Sequence, residues 1–149
     1  AEDGIRDDLV TGVQTCALPI LDRLMQSRVP VAVASSGRPH KIRFSLQQVG
    51  LSERLTTVCS ASEVTRGKPA PDLFLYAAQR LGIAAPHCIV IEDSQAGIQA
   101  ARAAGMYAIG FCSSLPAQRL REAGAHRVFS DYTELFPLLE EAAETFLRK

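Results

Sequence analysis

An α/β fold with a parallel sheet is predicted by two features of the chain. Short apolar runs typical of strands alternate with longer segments in which apolar residues recur at helical spacing. The run Ile89–Ile91 is branched and apolar throughout, which is typical of a strand buried on both faces. Strands that alternate with helices form βαβ units, and these units build parallel sheets.

The composition is that of a globular domain. A chain of 149 residues, 47% hydrophobic and 21% charged, can bury a core and is not expected to be disordered. The formal net charge of zero gives no reason to expect nucleic acid or an anionic membrane as a partner. No apolar run approaches the roughly 18 residues of a membrane span. Four cysteines without C-x-x-C spacing favour a reducing, cytoplasmic setting.

The elements of the first half are marked by apolar spacing and by turn residues. Leucines and a methionine at helical spacing predict a short helix over 21–28. A compact apolar run predicts a strand over 31–34, which ends at the turn Ser35-Ser36-Gly37. After Pro39, apolar residues at i, i+4 and i+7 predict a helix that Gly50 ends.

The second half continues the same alternation. Its strands are runs rich in apolar and branched residues, and two of its helices end at a glycine. The predicted elements are strands at 55–59, 88–92, 107–111 and 128–129, and helices at 73–81, 94–104, 117–123 and 135–146.

The first twenty residues do not share this pattern. Ala1–Ile20 has no sustained helical or strand period, and it resembles the translation of a sequencing adapter. We therefore expect two parts: a non-native, disordered or loosely packed leader over 1–20, and a domain over 21–149. The alternative is a natural edge strand with a mobile tail.

Two neighbouring acids, Glu92 and Asp93, lie at the end of the most apolar predicted strand. They lie where open α/β sheets place ligands, at the carboxyl end of the strand. One interpretation is that they bind Mg²⁺, which is usually held by one or two carboxylates together with phosphate and water. The other is that they stabilise the start of the next helix, because acids favour a helix N-terminus.

Three loops are predicted to meet at this edge of the sheet. The Ser35 turn follows one strand, Lys68 lies in the loop after another, and the acidic pair follows a third. A hydroxyl with backbone amides can hydrogen-bond phosphate oxygens, and a lysine supplies a positive charge. With a metal held by the acids, these groups suit a phosphoryl group.

Each of these features has a simpler interpretation when it is taken alone. A Ser-Ser-Gly turn is commonly only a turn, and a lysine between prolines commonly faces solvent. Arg38 starts a basic cluster and is near enough to the Ser35 turn to contact an anion, although such clusters are commonly solvated helix faces. The occurrence of all these features at one edge of the sheet indicates a phosphate site more specifically than any one of them does.

The order of the motifs resembles the haloacid dehalogenase superfamily, in its β-phosphoglucomutase-like branch of sugar-phosphate phosphatases and mutases. Val31–Gly37 resembles the second motif of the family, Gly67–Asp72 the third, and Ile91–Ile98 the fourth. The similarity covers about residues 21–111. It implies a Rossmann-like core and a small phosphorylated substrate, such as a sugar phosphate.

The resemblance also implies roles for individual residues. Ser35 and Lys68 would act in catalysis and bind the phosphate. Glu92 and Asp93 would hold the Mg²⁺ cofactor. The other implied phosphate-binding or substrate-binding residues are Ser36, Gly37 and Arg38.

The family's first motif, D-x-D-G-T, has no counterpart in this sequence. In the family it ends the central strand and supplies the aspartate nucleophile and a general acid/base, and a helical cap domain follows it. The segment Glu2-Asp3-Gly4-Ile5 is a superficial echo, and we assign no catalytic role to Asp3, Asp7 or Asp8. We expect a partial core that lacks the central first strand and the cap, with a gap between the strands ending at Ser35 and Glu92.

Three candidate functions are considered for this sequence. The leading hypothesis is a fragment of a monomeric, Mg²⁺-dependent phosphatase or phosphomutase that acts on a small sugar phosphate through an aspartyl-phosphate, inactive in this form. The alternative is a non-catalytic relative that binds a phosphorylated metabolite or a partner. A response-regulator receiver domain also pairs acids with a lysine, but there the acids come first, whereas here Lys68 precedes them.

Overall fold

Five strands and six helices alternate along residues 18–146, the part of the chain described by this computed structural model. The side chains of residues 145 and 146 are not described. The strands are β1 (Ala32–Ser35), β2 (Thr57–Ser60), β3 (Ile89–Glu92), β4 (Tyr107–Phe111) and β5 (Arg127–Phe129). The helices are α1 (18–26 in its described part), α2 (Pro39–Gln48), α3 (Asp72–Leu81), α4 (Gln95–Ala103), α5 (Ala117–Glu122) and α6 (Leu135–Phe146).

The predicted α/β alternation is confirmed, and most boundaries agree within one or two residues. The strand predicted from residue 55 begins at Thr57, because Leu55 still closes a turn by donating its amide to the Leu51 carbonyl. The first helix ends at residue 26, and Arg28 follows it with a positive φ of 56°. Single-residue left-handed conformations of this kind commonly follow a helix C-terminus.

The boundary predicted at residue 20 falls inside α1. Residues 18–20 are helical, and Ile20 packs against the apolar cluster that contains Tyr107 and Ile109. Residues 1–17, which make up most of the predicted leader, lie outside the described residues. The division into a leader and a domain therefore stays a prediction.

All strand pairs are parallel, and the strands form two sheets. β1 pairs with β2, with Ser35 opposite Ser60, and β3, β4 and β5 pair in that order. Within residues 18–146 no ladder joins β1 to β3. These residues leave a gap between the strands ending at Ser35 and Glu92, and the absence of a central strand from the chain stays a prediction.

An apolar cleft of about 660 Å³ occupies this gap, and we call it the β1–β3 cleft. It is bounded by Ala32 and Ala34 of β1 and by Ile89–Glu92 of β3. Ile91 remains 43% exposed there, although its sequence context predicts a fully buried strand. The prediction of full burial was wrong for this residue because one neighbouring strand is missing from the described part of the sheet.

Helices cover both faces of the three-stranded sheet. On one face, the fully buried Ile98 of α4 packs in a cluster with Val90 and Ala108. On the other face, Leu135 and Ala142 of α6 pack in a cluster with ring and aliphatic side chains of β4. This arrangement buries the sheet on both sides, as parallel sheets require.

The described helices are short. The longest, α6, has 12 residues, whereas a helix needs about 20 apolar residues to span a bilayer. None of the helices in the described part of the chain is long and apolar enough to cross a membrane.

Candidate functional site

Lys68 and Glu92 form an ion pair at the carboxyl edge of the two sheets. The Lys68 Nζ donates to Glu92 Oε1 at 2.5 Å and to the Ala34 carbonyl of β1 at 3.3 Å. The side chains of the pair are only 10% and 12% exposed. Lys68 therefore links the end of β1 to the end of β3 across the mouth of the β1–β3 cleft. The sequence predicted that these residues would meet, and the structure confirms their proximity.

The second carboxylate oxygen of Glu92 is also engaged. Glu92 Oε2 accepts hydrogen bonds from the Ser94 amide at 3.0 Å and from the Ser94 hydroxyl at 2.7 Å. Burial by itself raises the pKa of Glu92, but the Lys68 ammonium and the Ser94 donors outweigh it, so its pKa lies below the ordinary 4.5. Glu92 is therefore ionised at neutral pH.

Gly97 makes room for this carboxylate at the start of α4. Ser94 is the N-cap of the helix, and its hydroxyl oxygen accepts the Gly97 amide at 3.0 Å. A Cβ atom on Gly97 would lie 2.0 Å from Glu92 Cδ, well inside any allowed contact. Sequence reasoning gave Gly97 no separate role, and only this close approach reveals one.

Helix stabilisation and metal binding, the two interpretations of the acidic pair, apply to different residues. Ser94 caps α4, so neither acid serves as the N-cap. Glu92 nevertheless accepts a backbone amide at that helix end, which is the stabilisation expected for an acid there. Helix stabilisation thus explains why an acid is present at position 92, but it does not explain the acid at position 93.

Asp93 lies exposed at the same edge and contacts the end of the neighbouring strand. The Ser113 hydroxyl, shortly after β4, donates to Asp93 Oδ2 at 3.0 Å. Sequence reasoning missed Ser113. The signal that could have found it is its position as a polar residue following a predicted strand, at the edge to which all strand ends converge.

The Ser35 turn is held by hydrogen bonds from both sides. The Gly37 amide donates to Ser35 Oγ at 3.1 Å, and the fully buried Ser60 donates its hydroxyl to the Gly37 carbonyl at 2.6 Å. Ser60 ends β2 and pairs in register with Ser35. Sequence reasoning ended that strand one residue earlier and so missed Ser60, the residue that fixes the turn.

Ser36 and Arg38 are placed beside the turn, on its exposed side. Arg38 precedes α2, and its backbone carbonyl accepts the amides of Lys41 and Ile42. Among residues 18–146, no side-chain hydrogen bond or ion pair joins Ser36 or Arg38 to Lys68 or Glu92. The structure brings Lys68 and Glu92 into contact, whereas Ser36 and Arg38 lie at the turn without contacting that pair.

The donors at this edge can be tested against the needs of Mg²⁺. Three acids, cysteines or histidines do not cluster anywhere in the described part of the chain. Both oxygens of Glu92 already accept hydrogen bonds, whereas Asp93 is exposed and accepts one, at Oδ2. Because Mg²⁺ commonly uses one or two carboxylates and completes its shell with phosphate and water, Asp93 beside Glu92 fits a weakly held ion.

The described aspartates other than Asp93 are engaged elsewhere. Asp22 pairs with Arg54, and Asp72 pairs with Arg66. The remaining one, Asp131, caps a 3₁₀ turn. Asp3, Asp7 and Asp8, to which we assigned no catalytic role, lie outside the described residues. Within residues 18–146, no aspartate is therefore positioned to serve as a nucleophile facing Lys68.

Comparison with known proteins matches residues 11–105 to the haloacid dehalogenase-like hydrolases. The fructose-1-phosphate phosphatase YqaB of Escherichia coli strain K12 is 37% identical over 107 residues, which are 72% of this chain and 57% of that protein. The β-phosphoglucomutase of Bacillus subtilis strain 168 is 32% identical over 111 residues, which are 74% of this chain and 46% of that protein.

The fold is similar to that of solved structures. A HAD family hydrolase from Deinococcus radiodurans R1, which holds bound phosphate and sodium, superposes with a TM-score of 0.77 at 38% sequence identity. The match covers 83% of this chain and 57% of that structure. The chain thus spans about half the length of the relatives described here.

Proposed function

Because this chain belongs to the haloacid dehalogenase-like hydrolase family, we propose that its sheet edge is the phosphate-binding part of a phosphatase or phosphomutase site. The similarity to a fructose-1-phosphate phosphatase and a β-phosphoglucomutase supports a small sugar phosphate as the substrate class. The observation that carries the proposal is the largely buried Lys68–Glu92 pair, which holds a positive charge between the ends of β1 and β3.

Each residue has a distinct part in this proposal. Lys68 supplies the charge that binds the phosphoryl group, and Glu92 holds the Lys68 side chain in position. The Ser35 hydroxyl, with Ser36 and the Gly37 turn, hydrogen-bonds phosphate oxygens, and Arg38 lies close enough to contact the rest of the substrate. A lysine held in place by an ion pair costs no reorganisation when the anion arrives, which is the general advantage of preorganised charge.

Asp93, with Glu92 beside it, is the proposed ligand of Mg²⁺. Asp93 supplies the direct carboxylate contact, since the oxygens of Glu92 are taken by Lys68 and Ser94. When bound, the ion would offset negative charge on the phosphoryl group. Ser113, which donates to Asp93, would orient the carboxylate.

The sequence as given is proposed to bind phosphate without turning over phosphate esters. Transfer through an aspartyl-phosphate needs an aspartate facing Lys68, and the described aspartates other than Asp93, the proposed metal ligand, are engaged elsewhere. The same observation favours the second candidate, a non-catalytic protein that binds a phosphorylated metabolite. The two candidates predict different results when a carboxylate is supplied at the sheet edge. Turnover should be restored if the chain is part of a phosphatase or phosphomutase, and it should stay absent if the protein is non-catalytic.

Binding of inorganic phosphate, measured by calorimetry with and without Mg²⁺, tests the proposed site. Lys68→Ala should weaken binding by roughly ten- to a hundredfold, the equivalent of a charge-assisted hydrogen bond of about 1.5–3 kcal/mol. Asp93→Asn should remove the enhancement by Mg²⁺ and leave the metal-free affinity nearly unchanged.

Arg121→Ala is the matched control, because it removes one positive charge from an exposed position on α5. Equal affinities for the Lys68 and Arg121 variants would show that phosphate binds by net charge alone and would overturn the proposed site.

A further inference from the structure

The Lys68 ammonium contacts an aromatic ring in addition to its two oxygen acceptors. Its Nζ lies over the ring of Phe74, 4.9 Å from the ring centroid. A cation within about 6 Å of the centroid is attracted to the negative face of such a ring, and the attraction is stronger when water is excluded. Phe74 is 5% exposed, and the side chain of Lys68 is 10% exposed. The contact therefore lies where water screens it little.

An ion pair returns the loop that carries Lys68 to the helix that carries Phe74. Arg66 Nη2 donates to Asp72 Oδ1 at 2.8 Å, and Arg66 Nε donates to Asp72 Oδ2 at 3.3 Å. Asp72 is the first residue of α3, and Phe74 lies in the same first turn. The pair thus closes the loop over the start of α3, which is consistent with the position of Lys68 above the Phe74 ring.

The Phe74 ring is held by the two strands that Lys68 links. It packs in a buried apolar cluster with Val90 of β3 and Ile98 of α4, and Ala34 of β1 packs against the same cluster. Buried side chains in such clusters are close-packed and have little room to move. The ring is therefore a fixed surface beneath the ammonium.

The contacts of Lys68 leave part of its hydrogen-bonding capacity for a ligand. An ammonium carries three N–H donors. Within residues 18–146, Glu92 Oε1 and the Ala34 carbonyl accept two of them. The Phe74 ring attracts the charge as a whole, so the third donor is available to an anion.

We infer that Phe74 is a positioning residue for Lys68, because its ring face holds the ammonium at the sheet edge where a phosphate group would bind. This role deepens the proposed function and rests on it. The simpler role for Phe74 is to fill the apolar cluster, for which only the size and shape of the ring matter. The two roles differ in whether the charge distribution of the ring affects phosphate affinity.

Fluorinated phenylalanines at position 74 separate charge from shape. Analogues with one, three and five ring fluorines progressively remove the negative character of the ring face and change its shape little. Phosphate affinity, measured by calorimetry, should fall stepwise along the series. We expect a loss of roughly two- to tenfold with five fluorines, the range expected when one long side chain must be ordered on binding.

Phe136 of α6 is the matched control. Its ring also lies beneath a cation, since Arg23 Cζ is 3.5 Å from the ring centroid. The same analogues at position 136 should leave phosphate affinity unchanged. Urea denaturation of every variant shows that it is folded, which keeps the comparison valid if Phe74→Leu is too unstable to study.

A spectroscopic signature reports the contact without phosphate. Selective ¹³C labelling of lysine gives few signals, because the chain has three lysines, and Lys68→Ala identifies the one that belongs to Lys68. The ring current of Phe74 should shift the ε-methylene protons of Lys68 upfield. This shift should disappear in Phe74→Leu.

Three results would overturn the inference alone: an unshifted Lys68 signal, equal phosphate affinity along the position 74 series, and an equal decline along the position 136 series. Absence of phosphate binding by the parent chain would overturn the proposed function and, with it, this role of Phe74. The two failures are distinguishable, because the first three results are obtained with a chain that binds phosphate.

Discussion

Glu92 is the residue on which the candidate site depends most. It accepts hydrogen bonds from Lys68 and from Ser94, and it fits against α4 only because Gly97 lacks a side chain. A partly desolvated carboxylate with these partners holds the lysine in one position, whereas a solvated lysine would be free to move. The geometry around one acid thus sets where positive charge is presented to a ligand.

Gly97→Ala should disrupt this arrangement. Alanine is the better helix former by about 1 kcal/mol, but its Cβ would overlap the Glu92 carboxylate. We expect a net loss of roughly 1–3 kcal/mol in the free energy of unfolding, typical of overpacking, together with weaker phosphate binding. Urea denaturation and calorimetry measure the two effects. The matched control is Gly67→Ala, where the nearest atom to an added Cβ is 4.0 Å away. A stability gain at position 97 would contradict the inferred contact.

Acid should weaken the fold through Glu92. Its pKa is lower in the folded protein than the ordinary 4.5, so its ionised form adds stability above about pH 4.5. That contribution is lost as the pH falls through the depressed value. Urea denaturation of the parent chain and of Glu92→Gln should therefore give free energies that converge below pH 4.5.

The comparison with Glu92→Gln is needed because His126 also titrates. Burial and the nearby Arg102 lower the pKa of His126 below 6.5, so stability also falls as the pH drops below 6.5. This loss is common to both proteins and cancels in the difference. A difference that stays constant down to pH 2 would exclude the proposed role of the Lys68–Glu92 pair in stability.

At the scale of elements, the ends of neighbouring strands position the turns that carry the site. β2 supplies Ser60, whose hydroxyl holds the Gly37 carbonyl of the turn after β1. The region after β4 supplies Ser113, whose hydroxyl holds Asp93 after β3. In both cases a serine at or shortly after the end of one strand holds the loop that follows the neighbouring strand.

Ser60→Ala should loosen the Ser35 turn. The substitution leaves the Gly37 carbonyl without its buried donor, and we expect a loss of about 1–3 kcal/mol in the free energy of unfolding. Phosphate affinity should fall as well, because the turn that presents Ser35 is no longer fixed. Ser52→Ala, at an exposed position before β2, is the control. Unchanged stability and affinity in the Ser60 variant would show that the turn needs no support from β2.

The strands, helices and main charged groups of the site were predictable because their signals are local. Apolar spacing marked β3 and α4. Lys68 lies in the loop after one predicted strand, and Glu92 ends another. The serines at the strand ends and the role of Gly97 were not predictable in the same way. Ser60 acts through its register with β1. Gly97 acts by leaving room for the Glu92 carboxylate, where an added Cβ would overlap it. Spacing along the chain reveals neither.

At the scale of the whole molecule, the strands of residues 18–146 form two sheets and not one continuous parallel sheet. The Lys68–Glu92 pair and α3 connect the two parts, since Lys68 contacts β1 and Glu92 ends β3. The β1–β3 cleft lies directly beneath the candidate site. The proposed phosphate-binding groups therefore come from both sheets, while the position between the sheets has no strand in the described part of the chain.

The most direct test of the central claim is hydrolysis of p-nitrophenyl phosphate in the presence of Mg²⁺, by the chain and by its Asp93→Ala variant. The proposal that this sequence binds phosphate but lacks a nucleophile predicts no release of p-nitrophenol above the buffer rate from either protein. Retained binding of inorganic phosphate by the parent chain would confirm that it is folded. Turnover by the parent chain that disappears in the Asp93→Ala variant would contradict the account.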